Sequence, residues 1–157
     1  MSEPAAINAD EAFVGTVEPE GADKLDEGKL AEWMAANVAG FQGPLHLTKF
    51  KGGQSNPTFH VTDGAGTQYV LRKKPPGKLL PSAHQVDREY KVISALGQYT
   101  DVPVPKTYAL CTDEAVIGTW FYVMECVEGR VLWEPHLPGC APAERFAVLR
   151  NPFAQTR

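Results

Sequence analysis

Cysteine is scarce in this sequence. Cys111, Cys126 and Cys140 are three among 157 residues, an odd number with no C-x-x-C pair. That usage argues against a disulfide framework and against a zinc site. Positive charge is not in excess either: 15 lysines and arginines face 19 aspartates and glutamates, for a formal net charge of −4. With no basic surplus to neutralise phosphates, a nucleic-acid duplex is not an expected partner. No apolar run approaches the roughly 20 residues that span a bilayer, so a membrane partner is not expected. The opening MSEPAAINADEA lacks the basic n-region and apolar h-region of a secretory signal, and the default location is cytoplasmic.

What remains is ordinary globular composition. Hydrophobic residues make up 43% and charged residues 22%, and the length suits one core. Acid is unevenly placed. Eight of the acids lie between Met1 and Glu27, against Lys24 alone. Residues 1–22 are therefore expected to be a solvated, disordered tail.

Periodicity supplies the elements. Leu30, Trp33, Met34, Val38 and Phe41 recur at helical spacing within residues 23–43, with Gly40 at the expected end. After Pro44 the period changes to two. Strands are expected at Leu45–Lys51, Thr58–Thr62 and Gln68–Arg72, the last two joined by the hairpin signal Asp63-Gly-Ala-Gly66. A second helix is expected from a Ser82 cap to about Leu96, stopped by Gly97. Two more strands follow at Lys106–Cys111 and Trp120–Val127. The order is helix, three strands, helix, two strands: an α+β fold with a five-stranded antiparallel sheet, one packed helix and an N-terminal helix.

Four features, in order, suggest a nucleotide site. Gly52, Gly53, Gln54, Ser55 and Asn56 lie between the first two strands. Glycines let a backbone approach a polyphosphate, and Ser55 and Asn56 add side-chain donors. Arg72 on the third strand shares a face with Val70, while Leu71 and Lys73 take the other. A kinase-type site needs a cation there to join phosphates to a helix carboxylate, and arginine offers a bidentate fork. Glu89 is three residues after Val86 and four before Ile93, which puts an acid on the apolar side of its helix. That placement is costly unless the acid is paired, and Arg72 is the natural partner; Asp87 and Arg88 are expected to face solvent. Finally, the strand through Met124 and Glu125 runs out at Val127, Glu128 and Gly129. It offers backbone groups to an adenine edge, with Met124 and Val70 as an apolar wall. Each feature alone has a plain structural reading: a hairpin loop, a surface arginine, a rim carboxylate, a buried strand. Their joint occurrence in this order does not.

The strings FKGGQSNPTF, YVLRKKPPG, DREY, VPVP and FYVMECVEGRV resemble the aminoglycoside phosphotransferase-like family over about residues 25–148. The likeness extends to the kinase-like domain of some acyl-CoA dehydrogenase family members. The resemblance implies a protein-kinase-like N-lobe at residues 44–129, with residues 130–157 as a linker and the start of a C-lobe. It implies ATP with Mg2+ and phosphoryl transfer to a hydroxyl. Gly52 to Asn56 would cover the phosphates, Arg72 would stand for the usual lysine with Glu89 as its partner, and Glu125 and Val127 would meet the adenine through backbone. The family's His-Gly-Asp catalytic loop, its following Asn and its metal-binding Asp have no counterpart here. The chain is thus expected to be a nucleotide-binding lobe, truncated and inactive alone. The other expectation is a non-catalytic nucleotide- or partner-binding module that self-associates through the exposed lobe face. The acceptor is not legible; aminoglycosides and other hydroxylated metabolites, hydroxyacyl-CoA thioesters included, all suit the family.

Overall fold

The computed structural model describes residues 14–52, 55–75, 85–129, 137 and 139–150. Its strands are β1 (Thr16–Val17), β2 (Leu45–Phe50), β3 (Thr58–Asp63), β4 (Gln68–Lys73), β5 (Thr107–Cys111) and β6 (Phe121–Glu125). Its helices are α1 (Glu27–Asn37), α2 (Val86–Tyr99), α3 (Glu114–Ile117) and α4 (Pro142–Arg150), with a 3-10 turn at Gly21–Asp23. The strands form one six-stranded antiparallel sheet in the order β1-β2-β3-β4-β6-β5. Among the described residues no helix is long and apolar enough to cross a membrane.

The period-two pattern of β4 divides the molecule. Tyr69 and Leu71 join Leu47, Phe59, Val61, Phe121 and Val123 on one face, and Leu30, Met34 and Val38 of α1 close that core. Leu30, Met34, Phe59 and Leu71 are fully buried, each contributing about 1.5–3 kcal/mol of transfer free energy. Trp33 of α1 meets Phe121 edge to face at 4.8 Å between ring centroids. The opposite face carries Arg72 and Tyr122, which are partners across β4 and β6. Helix α2 covers it, with Val86 fully buried and Tyr90 6.0 Å from the Tyr122 ring.

Three expectations need correction. The sheet has six strands, because Thr16 and Val17 pair with Phe50 and Lys49. Those two residues lie inside the stretch read as tail. Two residues show no alternation, and only the waiting β2 edge makes them a strand. Asp23 likewise is not a solvated tail acid: it pairs with Lys49 at 2.5 Å and with Lys73 at 3.6 Å. Helix α2 runs through Gly97 to Tyr99. Gly97 answers a packing need, since a Cβ there would sit 3.3 Å from Val104 Cγ2. Between β5 and β6 the chain forms the short helix α3, whose first turn Asp113 caps through Ala115 N–H at 2.9 Å. Ser82, expected to cap α2, lies outside the described residues; Gln85 precedes the helix without a side-chain cap.

Lys73 is buried on the α1 face, with its side chain 3% exposed. Burial pushes its ammonium below the usual lysine range, and the Asp23 carboxylate opposes this only in part. A base held low in the folded state binds its proton more tightly when unfolded. Stability is therefore withheld at neutral pH and regained as pH rises towards the unfolded value of about 10.4. Replacing a buried ion pair by apolar side chains is often neutral or stabilising, and removing one partner is costly only where the other is left buried and unpaired; here Asp23 keeps Lys49. Lys73→Met is expected to change unfolding free energy by less than about 1 kcal/mol, or to raise it. Urea melts at pH 7 and pH 10 check this: the variant should gain relative to wild type at the lower pH.

Candidate functional site

The site grows from two periodicities. Alternation along β4 turns Arg72 towards α2. The helical repeat places Glu89 one turn after buried Val86, on the side facing the sheet. The two meet: Arg72 Nε donates to Glu89 Oε2 at 2.7 Å, with the side chains 29% and 34% exposed. A partly exposed charge-assisted bond of this kind is short and directional rather than a large source of stability.

Three neighbours fix the pair. Asn56 Nδ2 donates to Glu89 Oε1 at 2.8 Å, and the Tyr122 hydroxyl donates to Oε2 at 3.3 Å. Arg72 Nη1 donates to Thr58 Oγ1 at 3.1 Å, and that hydroxyl donates to the Asn56 carbonyl at 3.0 Å. The carboxylate thus receives donors from the glycine loop, from β4 and from β6 together. Burial, and after it the Glu89 carboxylate, pushes the Tyr122 phenol well above its ordinary range, so it stays a donor.

The sequence placed Gly52, Gly53, Gln54, Ser55 and Asn56 together as a phosphate loop. Gly53 and Gln54 lie outside the described residues. Ser55 and Asn56 line an open cleft of about 460 Å3 together with Arg72, Arg88 and Glu89. Asn56 is buried and bonded to Glu89, so its amide acts as a strut between loop and helix. Lys73, a rival to Arg72 in sequence, faces the other side of the sheet, and Lys74 lies over the Trp120 ring at 4.0 Å.

At the other end of the face, Val70 and Met124 are direct partners across β4 and β6. The Glu125 N–H donates to the Lys106 carbonyl at 2.8 Å, and its carboxylate accepts from the Lys106 N–H at 3.1 Å. Both groups are therefore committed to the chain entering β5. Val127, just beyond β6, is half-exposed. Thr48, His60 and Val70 continue the same row through the β2, β3 and β4 register, and Phe50 meets His60 edge to face at 6.0 Å.

Sequence reading missed Thr58 and Tyr122 as supports, although the strand register pairs both with Arg72. Arg88, read as solvent-facing, is exposed and also lines the open cleft, which the sequence reading did not foresee. For a divalent metal, the described residues gather no group of three or more His, Cys, Asp or Glu side chains.

A crystal structure from Ralstonia eutropha, assigned as an aminoglycoside phosphotransferase, superposes with a TM-score of 0.67 at 49% identity, covering 82% of this chain and 36% of that one. The probable acyl-CoA dehydrogenase IBR3 of Arabidopsis thaliana is 52% identical over 137 residues, 83% of this chain and 17% of its own length. Human acyl-CoA dehydrogenase family member 11 is 47% identical over 129 residues, 80% of this chain and 16% of its own length. The chain thus spans about a sixth of the curated relatives it matches. A family profile described as phosphotransferase enzyme family (APH) matches residues 46–151, and with these relatives it makes the chain a member of that family.

Proposed function

We propose that this chain seats ATP for phosphoryl transfer to a hydroxyl group on a small molecule. The Arg72–Glu89 pair at 2.7 Å, beside the glycine loop, carries the reading. In this role the Arg72 guanidinium directs its remaining N–H groups at the α and β phosphates, while Glu89 fixes its plane. The backbone from Gly52 to Asn56 covers the phosphate chain. Val70 and Met124 flank the adenine, and the Glu125 carbonyl and the backbone of Val127 meet its edge, the Glu125 N–H being held by the Lys106 carbonyl.

A cleft of about 460 Å3 with two guanidinium groups fits a polyphosphate. Bound ATP supplies the phosphoryl group; the chain's own residues bind and orient it. For Mg2+ the described residues provide no ligand cluster. The four histidines, His46, His60, His84 and His136, are followed by Leu, Val, Gln and Leu. None begins a His-Gly-Asp loop. The base that takes the acceptor proton therefore comes from outside these residues, and the chain alone binds nucleotide without turning it over.

Calorimetric titration with ATP and Mg2+, alongside a phosphate-release assay, tests this. Saturable binding with background turnover is expected. Absence of binding at millimolar nucleotide overturns the nucleotide role, and robust metal-dependent transfer overturns the inactivity. The second reading is a partner-docking or self-associating module, in which the Phe146 side chain of α4, 68% exposed, would be covered by the partner. Sedimentation velocity with and without nucleotide distinguishes the two, since docking predicts concentration-dependent association.

A further inference from the structure

We propose that Arg88 is the open cation of an oxyanion subsite in the cleft between the glycine loop and α2, taking a phosphate group of the nucleotide or of its acceptor. The inference rests on the phosphotransferase reading for the identity of the anion.

The argument is one of charge assignment. Among the described residues, three charged side chains line the cleft: Arg72, Glu89 and Arg88. Arg72 is already balanced by Glu89 at 2.7 Å, and its Nη1 is taken by Thr58. Both oxygens of Glu89 are occupied, one by Asn56 and the other by Arg72 and Tyr122. Arg88 has no ion-pair partner among the described residues. Its helix neighbour Asp87 reaches instead for Lys91 at 3.9 Å. Among the described residues, two guanidinium groups against one carboxylate leave the cleft lining with one positive charge in excess, in a chain whose net charge is −4.

The backbone makes this placement more pointed. Arg88 stands in the first turn of the 14-residue helix α2. A cation there faces the positive end of the helix dipole, which is unfavourable. An arriving oxyanion reverses the balance, because the dipole and the guanidinium then attract the same group. The Ser55 side chain lines the same cleft and adds a hydroxyl. The chemistry recognised is a phosphate oxyanion.

The test uses the whole chain in two arms, with Arg88→Gln and Arg88→Lys beside wild type. Arg88 is exposed, so both variants should melt as wild type does. In the first arm ATP and adenosine are titrated separately by calorimetry. In the second, inorganic phosphate is titrated into the free protein and into protein held at excess nucleotide. Loss of one charged hydrogen-bond partner should weaken phosphate binding about tenfold in R88Q, with R88K recovering part of it and adenosine unaffected. A drop in ATP affinity assigns the subsite to the nucleotide. A drop confined to the second arm assigns it to an acceptor phosphate. Equal affinities of wild type and R88Q in both arms, or no phosphate binding by wild type in either, overturn the proposal. If wild type binds inorganic phosphate through Arg88 but no ATP, the nucleotide reading falls and the subsite stands.

Discussion

Glu89→Ala is expected to weaken ATP binding about 10- to 100-fold, which corresponds to roughly 1.4–2.7 kcal/mol. The carboxylate is the one acceptor shared by Arg72, Asn56 and Tyr122. Without it Arg72 keeps only Thr58, and its side chain regains rotamer freedom that nucleotide binding must then remove. The Tyr122 hydroxyl is left without its acceptor in a residue 1% exposed, at a cost of about 1–3 kcal/mol to folding. The two effects separate by variant. Glu89→Gln keeps the side-chain length and one acceptor oxygen, so it should fold nearly as well as wild type while still losing affinity. Tyr122→Phe removes one donor and leaves the Arg72–Glu89 bond, so its affinity should fall by less than that of either Glu89 variant. Calorimetry gives the affinities and urea melts give the stabilities. Nucleotide affinity in Glu89→Ala equal to wild type would detach the pair from the site.

What the sequence made legible follows from how short its rules are. Arg72 and Glu89 could be joined on paper because one period of two and one of 3.6 each fix a side-chain direction, and both residues sit inside long regular elements. Leu30, Met34 and Val38 were readable as core for the same reason. Asn56 was not readable as a strut, because a loop residue has no period; only the β3 register, which brings Thr58 opposite Arg72, places it under α2. Arg88 was readable as solvent-facing, because a one-residue step from Glu89 turns a side chain by about 100° off the sheet; that it also lines the cleft was not readable, since the loop that bounds the cleft has no period. Asp23 was hidden by its acidic company. Its worth comes from Lys49 and Lys73, far along the chain, and nothing local distinguishes it from the acids around it. Local periodicity fixed directions within an element, whereas the supports of the site are contacts between a loop and a helix.

The second large effect concerns Asp63, where stability and pH are tied. Its carboxylate closes the β3–β4 hairpin by accepting from Ala65 N–H at 2.9 Å and Thr67 N–H at 2.8 Å. It also accepts from Gln42 N–H at 3.2 Å and the Tyr69 hydroxyl at 3.4 Å, which ties the segment after α1 to the turn. That segment presses on the hairpin: the Gly64 N–H donates to the Gln42 carbonyl at 2.7 Å, and a Cβ on Gly64 would lie 2.8 Å from the Gly43 carbonyl oxygen. The residue is only 5% exposed. Burial alone would raise the Asp63 carboxyl, but the backbone donors of Thr67, Gln42 and Ala65 outweigh it and hold the group below the ordinary aspartate range. Asp63→Ala leaves those donors without their acceptor, and the expected cost is about 3 kcal/mol, a large share of a domain's stability. Asp63→Asn keeps one acceptor oxygen but turns an amide N–H2 towards N–H donors, so it should cost nearly as much. The sign in pH follows from the depressed value. The unfolded chain binds a proton first, so the carboxylate's contribution is complete above about pH 4 and is lost as pH falls through the folded value. The stability gap between wild type and Asp63→Asn, measured by urea melts from pH 6 to pH 2, should therefore hold constant to about pH 4 and narrow below it. A gap that persists unchanged to pH 2 would show that shape, and not the ionised carboxylate, holds the turn.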